Sequence, residues 1–177
     1  MRISILGAGN MGGAIFNHLY PRGEFELALI DPKIDKIWES LGKSSKLGPP
    51  LLFSDLLQYT QNLKRQKTIL VLAIKPKQLS PLHEEIKVSR NLSFANFVIV
   101  SVVAGISLST LRKIFKTKNI IRAMPNTPVT VGQGMTGLYF PQNISPKNKD
   151  NVLKIFELLG KTLIVNSEKK LHSITAL

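Results

Sequence analysis

The residues that most constrain the fold lie at the amino terminus, where a short apolar segment runs directly into a glycine-rich turn. Residues 2–6 read Arg-Ile-Ser-Ile-Leu, and residues 7–12 follow as Gly-Ala-Gly-Asn-Met-Gly. A helix-compatible stretch over residues 11–20 comes next. A strand, a G-x-G-x-x-G turn and a helix in this order form the fingerprint of a dinucleotide-binding unit.

Each glycine of this turn has its own predicted role. Gly7 allows the tight turn, Gly9 leaves room for the backbone to approach a pyrophosphate, and Gly12 lets the helix pack closely on the strand. The helix N-terminus offers free N–H groups and the positive end of its dipole to phosphates. The alternative interpretation is an ordinary glycine-rich turn.

Composition restricts the class of protein. The longest apolar stretches, residues 69–74 and 97–106, are too short to cross a bilayer and are typical of buried parallel strands. The sequence has no cysteine, so disulfides and thiolate chemistry are excluded, and its three histidines, His18, His83 and His172, lie far apart. We therefore expect a cytoplasmic protein with no metal site and no membrane span.

The formal charge of +13, from 24 Lys and Arg against 11 Asp and Glu, raises the question of nucleic-acid binding. The basic residues are scattered, and no aromatic residues that could stack on bases are interleaved with them. We predict a solvated basic surface and no specific nucleic-acid site. A general attraction for anionic ligands stays open.

Strand-like and helix-like segments alternate along the chain. Strands are predicted at residues 2–6, 25–30, 68–73, 97–102, 119–124, 134–140 and 162–165. Helices are predicted at residues 11–20, 34–41, 55–63, 76–88, 107–115 and 146–159, with a further helix starting after Ser167. This alternation predicts an α/β fold of the Rossmann type, with a doubly wound, mainly parallel sheet.

The chemically distinctive residues follow the predicted strands. They are the glycine turn, Asp31, and residues 73–76, 103–105 and 124–128. Ligands of such sheets bind beyond the carboxyl ends of the strands. We therefore expect these segments to form one site.

These same motifs resemble Δ1-pyrroline-5-carboxylate reductase over essentially the whole chain. The resemblance rests on Gly-Ala-Gly-Asn-Met-Gly at 7–12, Ala-Ile-Lys-Pro at 73–76, Ser-Val-Val-Ala-Gly-Ile at 101–106, Ile-Arg-Ala-Met-Pro-Asn-Thr-Pro at 121–128 and Gly-Met-Thr at 134–136. It implies an NAD(P)H-dependent oxidoreductase that reduces a cyclic imine, pyrroline-5-carboxylate, in proline biosynthesis. Two alternatives stay open: another Rossmann dehydrogenase of the hydroxy-acid type, and a non-catalytic nucleotide-binding fragment.

The resemblance also implies a domain organisation. Residues 1–166 correspond to the NAD(P)-binding domain, and residues 167–177 to the start of a C-terminal helical domain that dimerises and supplies most of the substrate pocket. The family's Ser-Gly-Ser-Gly-Pro-Ala-Tyr segment does not occur here. We expect a helical domain that is lost or separately encoded, a dimer only where that domain is present, and negligible imine reduction by the isolated chain. A short docking helix at the end of the chain is the simpler alternative.

The site residues that the resemblance implies lie at these strand ends. The pyrophosphate contacts are Leu6, Gly7, Ala8, Gly9, Asn10 and Met11, with Gly12 completing the motif. Residues toward the ribose and phosphates are Ala73, Ile74, Lys75 and Pro76, and those toward the nicotinamide are Val103, Ala104 and Gly105.

Asn126 is expected nearest the transferred hydride, on a turn whose two prolines restrict the backbone. The alternative for this segment is a merely rigid turn. None of the three histidines follows a predicted strand, so each is expected to be a packing or surface residue, and the general acid is left unassigned.

One departure from the family bears on the choice of cofactor. Many members carry small hydroxyl residues after the second strand, whereas this chain has Asp31-Pro32-Lys33. A carboxylate there accepts a hydrogen bond from a free ribose 2′-OH and repels a 2′-phosphate, which predicts a preference for NADH. Lys33 could offset the repulsion, and Asp31 could instead cap the next helix.

Overall fold

A computed structural model describes residues 1–40, 48–62, 66–89 and 92–171 of the chain. The strands are β1 (Arg2–Leu6), β2 (Glu26–Ile30), β3 (Leu51–Phe53), β4 (Thr68–Leu72), β5 (Phe97–Ser101), β6 (Ile120–Pro125), β7 (Gly134–Tyr139) and β8 (Gly160–Val165). The helices are α1 (Asn10–Leu19), α2 (Ile34–Ser40), α3 (Leu56–Gln61), α4 (Leu79–Val88), α5 (Leu108–Phe115) and α6 (Pro146–Glu157). Short 3₁₀ turns occupy Tyr20–Arg22, Pro76–Gln78, Thr127–Val131 and Glu168–Lys170.

The strands form one sheet in the order β3-β2-β1-β4-β5-β6-β7-β8. Strands β1 to β6 run parallel to one another, β7 runs antiparallel to β6, and β8 runs parallel to β7. The strand order reverses direction between β1 and β4, which is where doubly wound sheets bind their ligands. The predicted Rossmann-type, mainly parallel α/β fold is confirmed.

Each face of the sheet carries its own apolar core. On one face, Ile15 and Phe16 of α1 and Phe156 of α6 pack on β1 and its neighbours. On the other face, Tyr59 of α3 and Leu111 of α5 pack with α4 on alternate residues of the same strands. Burial on both faces explains why the strands read as continuous apolar runs.

The predicted elements differ from the observed ones mainly at their ends. The predicted helix over residues 76–88 begins as a 3₁₀ turn, in which Gln78 Oε1 accepts a hydrogen bond from Lys75 N at 2.8 Å, and α4 starts at Leu79. After Ser167, where a further helix was predicted to start, the structure has the short 3₁₀ turn Glu168–Lys170; Ser167 occupies its N-cap position, and the serine side chain makes no cap hydrogen bond. His172 and residues 41–47 and 63 lie outside the described residues.

Within the described ranges, no helix combines the length and apolar character that crossing a membrane requires.

Candidate functional site

The register of the sheet brings the carboxyl ends of its central strands into line. Leu6 is paired with Ile30 on one side and with Leu72 on the other. Hydrogen bonds continue one residue past the strands, from Gly7 N to Ile30 O at 2.8 Å and from Ala73 N to Leu6 O at 2.8 Å. The glycine turn, Asp31 and residues 73–76 therefore meet at one edge, as predicted.

Two glycines of the turn lie against backbone. Gly7 has a φ of +95°, and a Cβ there would be 2.8 Å from the carbonyl oxygen of Ala73. A Cβ at Gly12 would be 1.9 Å from the carbonyl oxygen of Gly7. A larger residue at either position would push α1 or β4 away from the turn.

Gly9 differs from both, because a Cβ there would meet no atom of the described residues within 4 Å. It occupies the N-cap position of α1, where no side chain caps the helix and the first turn holds no acidic residue. An open space thus adjoins a helix N-terminus whose first N–H groups have no side-chain cap. This is the arrangement that holds a phosphate, and a side chain at Gly9 would fill it.

Asp31 joins the end of β2 to the glycine turn. Its Oδ2 accepts a hydrogen bond from Ala8 N at 2.9 Å, and its Oδ1 accepts one from Lys33 N at 2.9 Å. The carboxylate therefore caps the turn before α2 and lies beside the glycine motif at the same time. A carboxylate has about four acceptor positions, so both oxygens retain capacity for a ligand hydroxyl.

Residues 73–76 line the turn from the other side. Ile74 Cγ2 lies 2.9 Å from where a Cβ of Gly7 would be. Ala73 and Ile74 are half-buried, whereas Lys75 and Pro76 are exposed. This segment therefore presents an apolar floor beside the turn and a cation at its outer end.

The loop after β5 has a buried start and an exposed tip. Val103 is buried, and its N–H donates to Ser101 Oγ at 3.3 Å. Ala104 and Gly105 are exposed, and Gly105 has a φ of +70°. The tip is thus the part of this loop that a ligand at the sheet edge can contact.

Asn126 is fixed by the reversal from β6 into β7. Its N–H donates to Met135 O at 3.1 Å, and its Oδ1 accepts from Met135 N at 2.8 Å. The side-chain Nδ2 group is thereby left available to a ligand. Asn126 also lines a cavity of about 630 Å³ with Gln133, Met135 and Lys161.

A buried arginine beneath this edge was missed in the sequence analysis. Arg122 is 1% exposed, and its Nη1 donates to Ser101 Oγ at 3.1 Å. Burial lowers the pKa of its guanidinium, and the nearby Glu168 carboxylate opposes that shift. A lone arginine within the apolar segment 119–124 was the available signal.

The histidines do not join the site as catalytic groups in the part of the chain that the structure describes. His18 Nδ1 lies 3.3 Å from Ala14 O, and its Nε2 lies 2.8 Å from where a Cβ of Gly132 would be. His83 lies on α4. Across the described residues, no group of three His, Cys, Asp or Glu side chains could hold a metal ion.

Comparison with known proteins agrees with this geometry. Residues 2–105 match the family model described as NADP oxidoreductase, coenzyme F420-dependent. A pyrroline-5-carboxylate reductase from Pasteurella multocida is 29% identical over 98% of this chain and 62% of its own length. The Escherichia coli enzyme of the same name is also 29% identical, over 98% of this chain and 61% of its own length.

Solved structures with the same fold include a pyrroline-5-carboxylate reductase and a pyrroline carboxylate reductase. The Coxiella burnetii structure has a TM-score of 0.76 and 25% identity, and the match covers 99% of this chain and 62% of that one. The Plasmodium falciparum structure, described with NADP bound, has a TM-score of 0.72 and 22% identity over 99% of this chain and 61% of its own. The present chain spans less than two thirds of these relatives. It belongs to the family of NADP oxidoreductases described as coenzyme F420-dependent, and it is similar to pyrroline-5-carboxylate reductases over nearly its whole length.

Proposed function

We propose that this chain binds reduced nicotinamide dinucleotide across the carboxyl edge of its sheet, as the cofactor-binding part of an enzyme that reduces pyrroline-5-carboxylate. The observation that carries the proposal is the open space at Gly9 beside the uncapped N-terminus of α1. The relatives that bear the reductase name support the substrate class.

Each segment of the edge has a proposed role. The N–H groups at the start of α1 bind the pyrophosphate, while Asp31 accepts from the ribose of the adenosine half. Residues 73–76 lie along the ribose and phosphates, and residues 103–105 lie at the nicotinamide end. Asn126 Nδ2 donates to a group next to the carbon that carries the hydride, because its Oδ1 is already engaged by Met135 N.

When bound, the cofactor supplies a hydride for the carbon of the C=N bond, while a proton goes to the nitrogen. The protein orients the ring and excludes water from it, and Val103 and Met124, near the ends of β5 and β6, are buried apolar residues. We propose that residues 1–166 form the cofactor domain and that residues 167–177 begin a helical region that would complete the substrate pocket and the dimer. On this proposal the chain alone binds cofactor in the cytoplasm but turns over little imine, and it has no specific nucleic-acid partner.

The sharpest test replaces Gly9 by aspartate. The backbone there has φ −71° and ψ −161°, so any residue fits, and aspartate is a favourable N-cap. Gly9→Asp fills the open space and brings a negative charge to the phosphate position. We expect an unchanged or higher melting temperature, together with at least about a tenfold loss of NADH affinity, measured by nicotinamide fluorescence.

The matched control is Gly13→Ala in the same helix. A Cβ at Gly13 would lie 3.5 Å from Ala8 O, an ordinary contact, so NADH binding should be retained. NADH affinity that is equal in wild type and Gly9→Asp would overturn the proposal, as would a wild-type chain that does not bind NADH.

A further inference from the structure

Both ends of the loop after β5 are held by hydrogen bonds, while its tip is free. We call residues 102–107 the β5–α5 loop. At its start, Val102 N donates to Leu72 O at 3.0 Å and Val103 N donates to Ser101 Oγ at 3.3 Å. Immediately after its end, Leu108 N donates to Glu168 Oε1 at 2.6 Å. A Cβ at Gly105 would meet nothing within 4 Å in the described part of the chain, so packing does not fix the tip.

Arg122 connects the two ends. Its Nη1 donates to Ser101 Oγ at 3.1 Å, so Ser101 accepts hydrogen bonds from both the loop and the guanidinium. Its Nε lies 4.0 Å from Glu168 Oε1 and has no hydrogen-bond partner among the residues that the structure describes. Glu168 therefore contacts both parts of this arrangement. Its carboxylate accepts the hydrogen bond from Leu108 N at the end of the loop, and it lies beside Arg122, which holds the start of the loop.

The burial of Arg122 makes this connection energetically significant. Its side chain is 1% exposed, whereas that of Glu168 is 28% exposed. A buried cation without a nearby anion is strongly destabilising, so the position of Glu168 and the position of Arg122 depend on each other.

We infer that Arg122 and Glu168 together are positioning residues, which set the β5–α5 loop against the nicotinamide end of the cofactor. The inference rests on the proposed function, since that function places residues 103–105 at this end. Neither side chain touches the cofactor; both act through Ser101, Val103 and Leu108.

A consequence concerns the segment that follows β8. Glu168 lies on the 3₁₀ turn Glu168–Lys170, and the next residue, Leu171, is 1% exposed. The carboxylate reaches Leu108 N at the start of α5 only while this segment stays docked beside it. Cofactor affinity should therefore depend on the docking of residues 167–171, although they lie outside the cofactor edge.

The test uses Glu168→Ala and Glu168→Gln in the full 177-residue chain. Both variants remove the anion beside the buried Arg122 and should lower the melting temperature, so exchange and binding are measured well below that temperature, where the variants are folded. Glutamine keeps an oxygen that can accept from Leu108 N, whereas alanine removes it. Glu157→Ala, at an exposed glutamate on α6, is the matched control. Amide hydrogen exchange without cofactor reports on the loop, and NADH fluorescence reports on binding.

We expect exchange at Val103 and Leu108 to accelerate in Glu168→Ala, and NADH affinity to fall by about tenfold, the loss typical of one charge-assisted hydrogen bond. In Glu168→Gln, both the exchange rates at Val103 and Leu108 and the NADH affinity should lie between those of Glu168→Ala and the wild type. Glu157→Ala should change neither the exchange rates nor the affinity. The inference would be overturned if Val103 and Leu108 exchanged at the wild-type rate in Glu168→Ala. It would also be overturned if their exchange accelerated while NADH affinity stayed unchanged. If the wild-type chain itself does not bind NADH, the proposed function fails, and the exchange data alone still decide whether Glu168 holds the loop.

Discussion

Asp31 shows how one side chain serves both the fold and the site. Its two oxygens accept from Ala8 N and Lys33 N, so the carboxylate is held in place before any ligand arrives. The two interpretations of its role, as a cap and as a ribose ligand, are therefore compatible in one geometry. What the carboxylate adds for a ligand is a fixed negative charge beside the glycine turn.

That charge leads to a prediction about cofactor choice. We expect the wild-type chain to bind NADH more tightly than NADPH, because the carboxylate repels a 2′-phosphate. Asp31→Asn keeps one acceptor oxygen and removes the charge, so the ratio of the two dissociation constants should shift toward NADPH by about tenfold. Asp35→Asn, at an exposed acid in the first turn of α2, is the control. Equal or tighter binding of NADPH by the wild type would contradict the prediction.

At the scale of elements, the packing of α1 on the glycine turn decides the shape of the site. Gly12 and Gly13 are neighbours in the same helix, but their surroundings differ. A Cβ on Gly12 would clash with Gly7 O at 1.9 Å, whereas a Cβ on Gly13 would make an ordinary contact with Ala8 O at 3.5 Å. Only the first of these contacts requires the backbone to shift.

We therefore expect Gly12→Ala to lower the free energy of unfolding by about 1–3 kcal/mol, the usual cost of overpacking. Gly13→Ala should be neutral or stabilising, because alanine favours the helix. Urea denaturation of the two variants measures the difference. Equal free energies of unfolding for Gly12→Ala and Gly13→Ala would contradict the close packing of α1 on the glycine turn at Gly12.

The elements also show what the sequence could predict. Strands β1, β4 and β5 and the glycine turn follow from local patterns, because buried parallel strands are apolar and the turn needs glycine. The direction of β7 could not be predicted, since it depends on the paired hydrogen bonds between Asn126 and Met135. The partnership of Arg122 with Glu168 was missed for the same reason: it joins residues far apart in sequence that only the folded sheet brings together.

At the scale of the whole molecule, the sheet has two edges that could receive an anionic ligand. The carboxyl edge carries the glycine turn, Asp31 and Asn126. The opposite side has a cavity of about 420 Å³, lined by residues that include Lys67, Asn96 and Lys147. A chain with a net charge of +13 attracts anions generally, so binding alone does not identify the edge.

The most direct measurement is therefore a map of amide NMR shifts during titration with NADH. We expect saturable changes at Gly9, Asp31, Gly105 and Asn126, and little change around Lys67 and Asn96 on the opposite side. Raising the salt concentration should weaken these changes without moving them to other residues. Changes that concentrate around Lys67 and Asn96, or that never saturate, would contradict a dinucleotide site at the carboxyl edge.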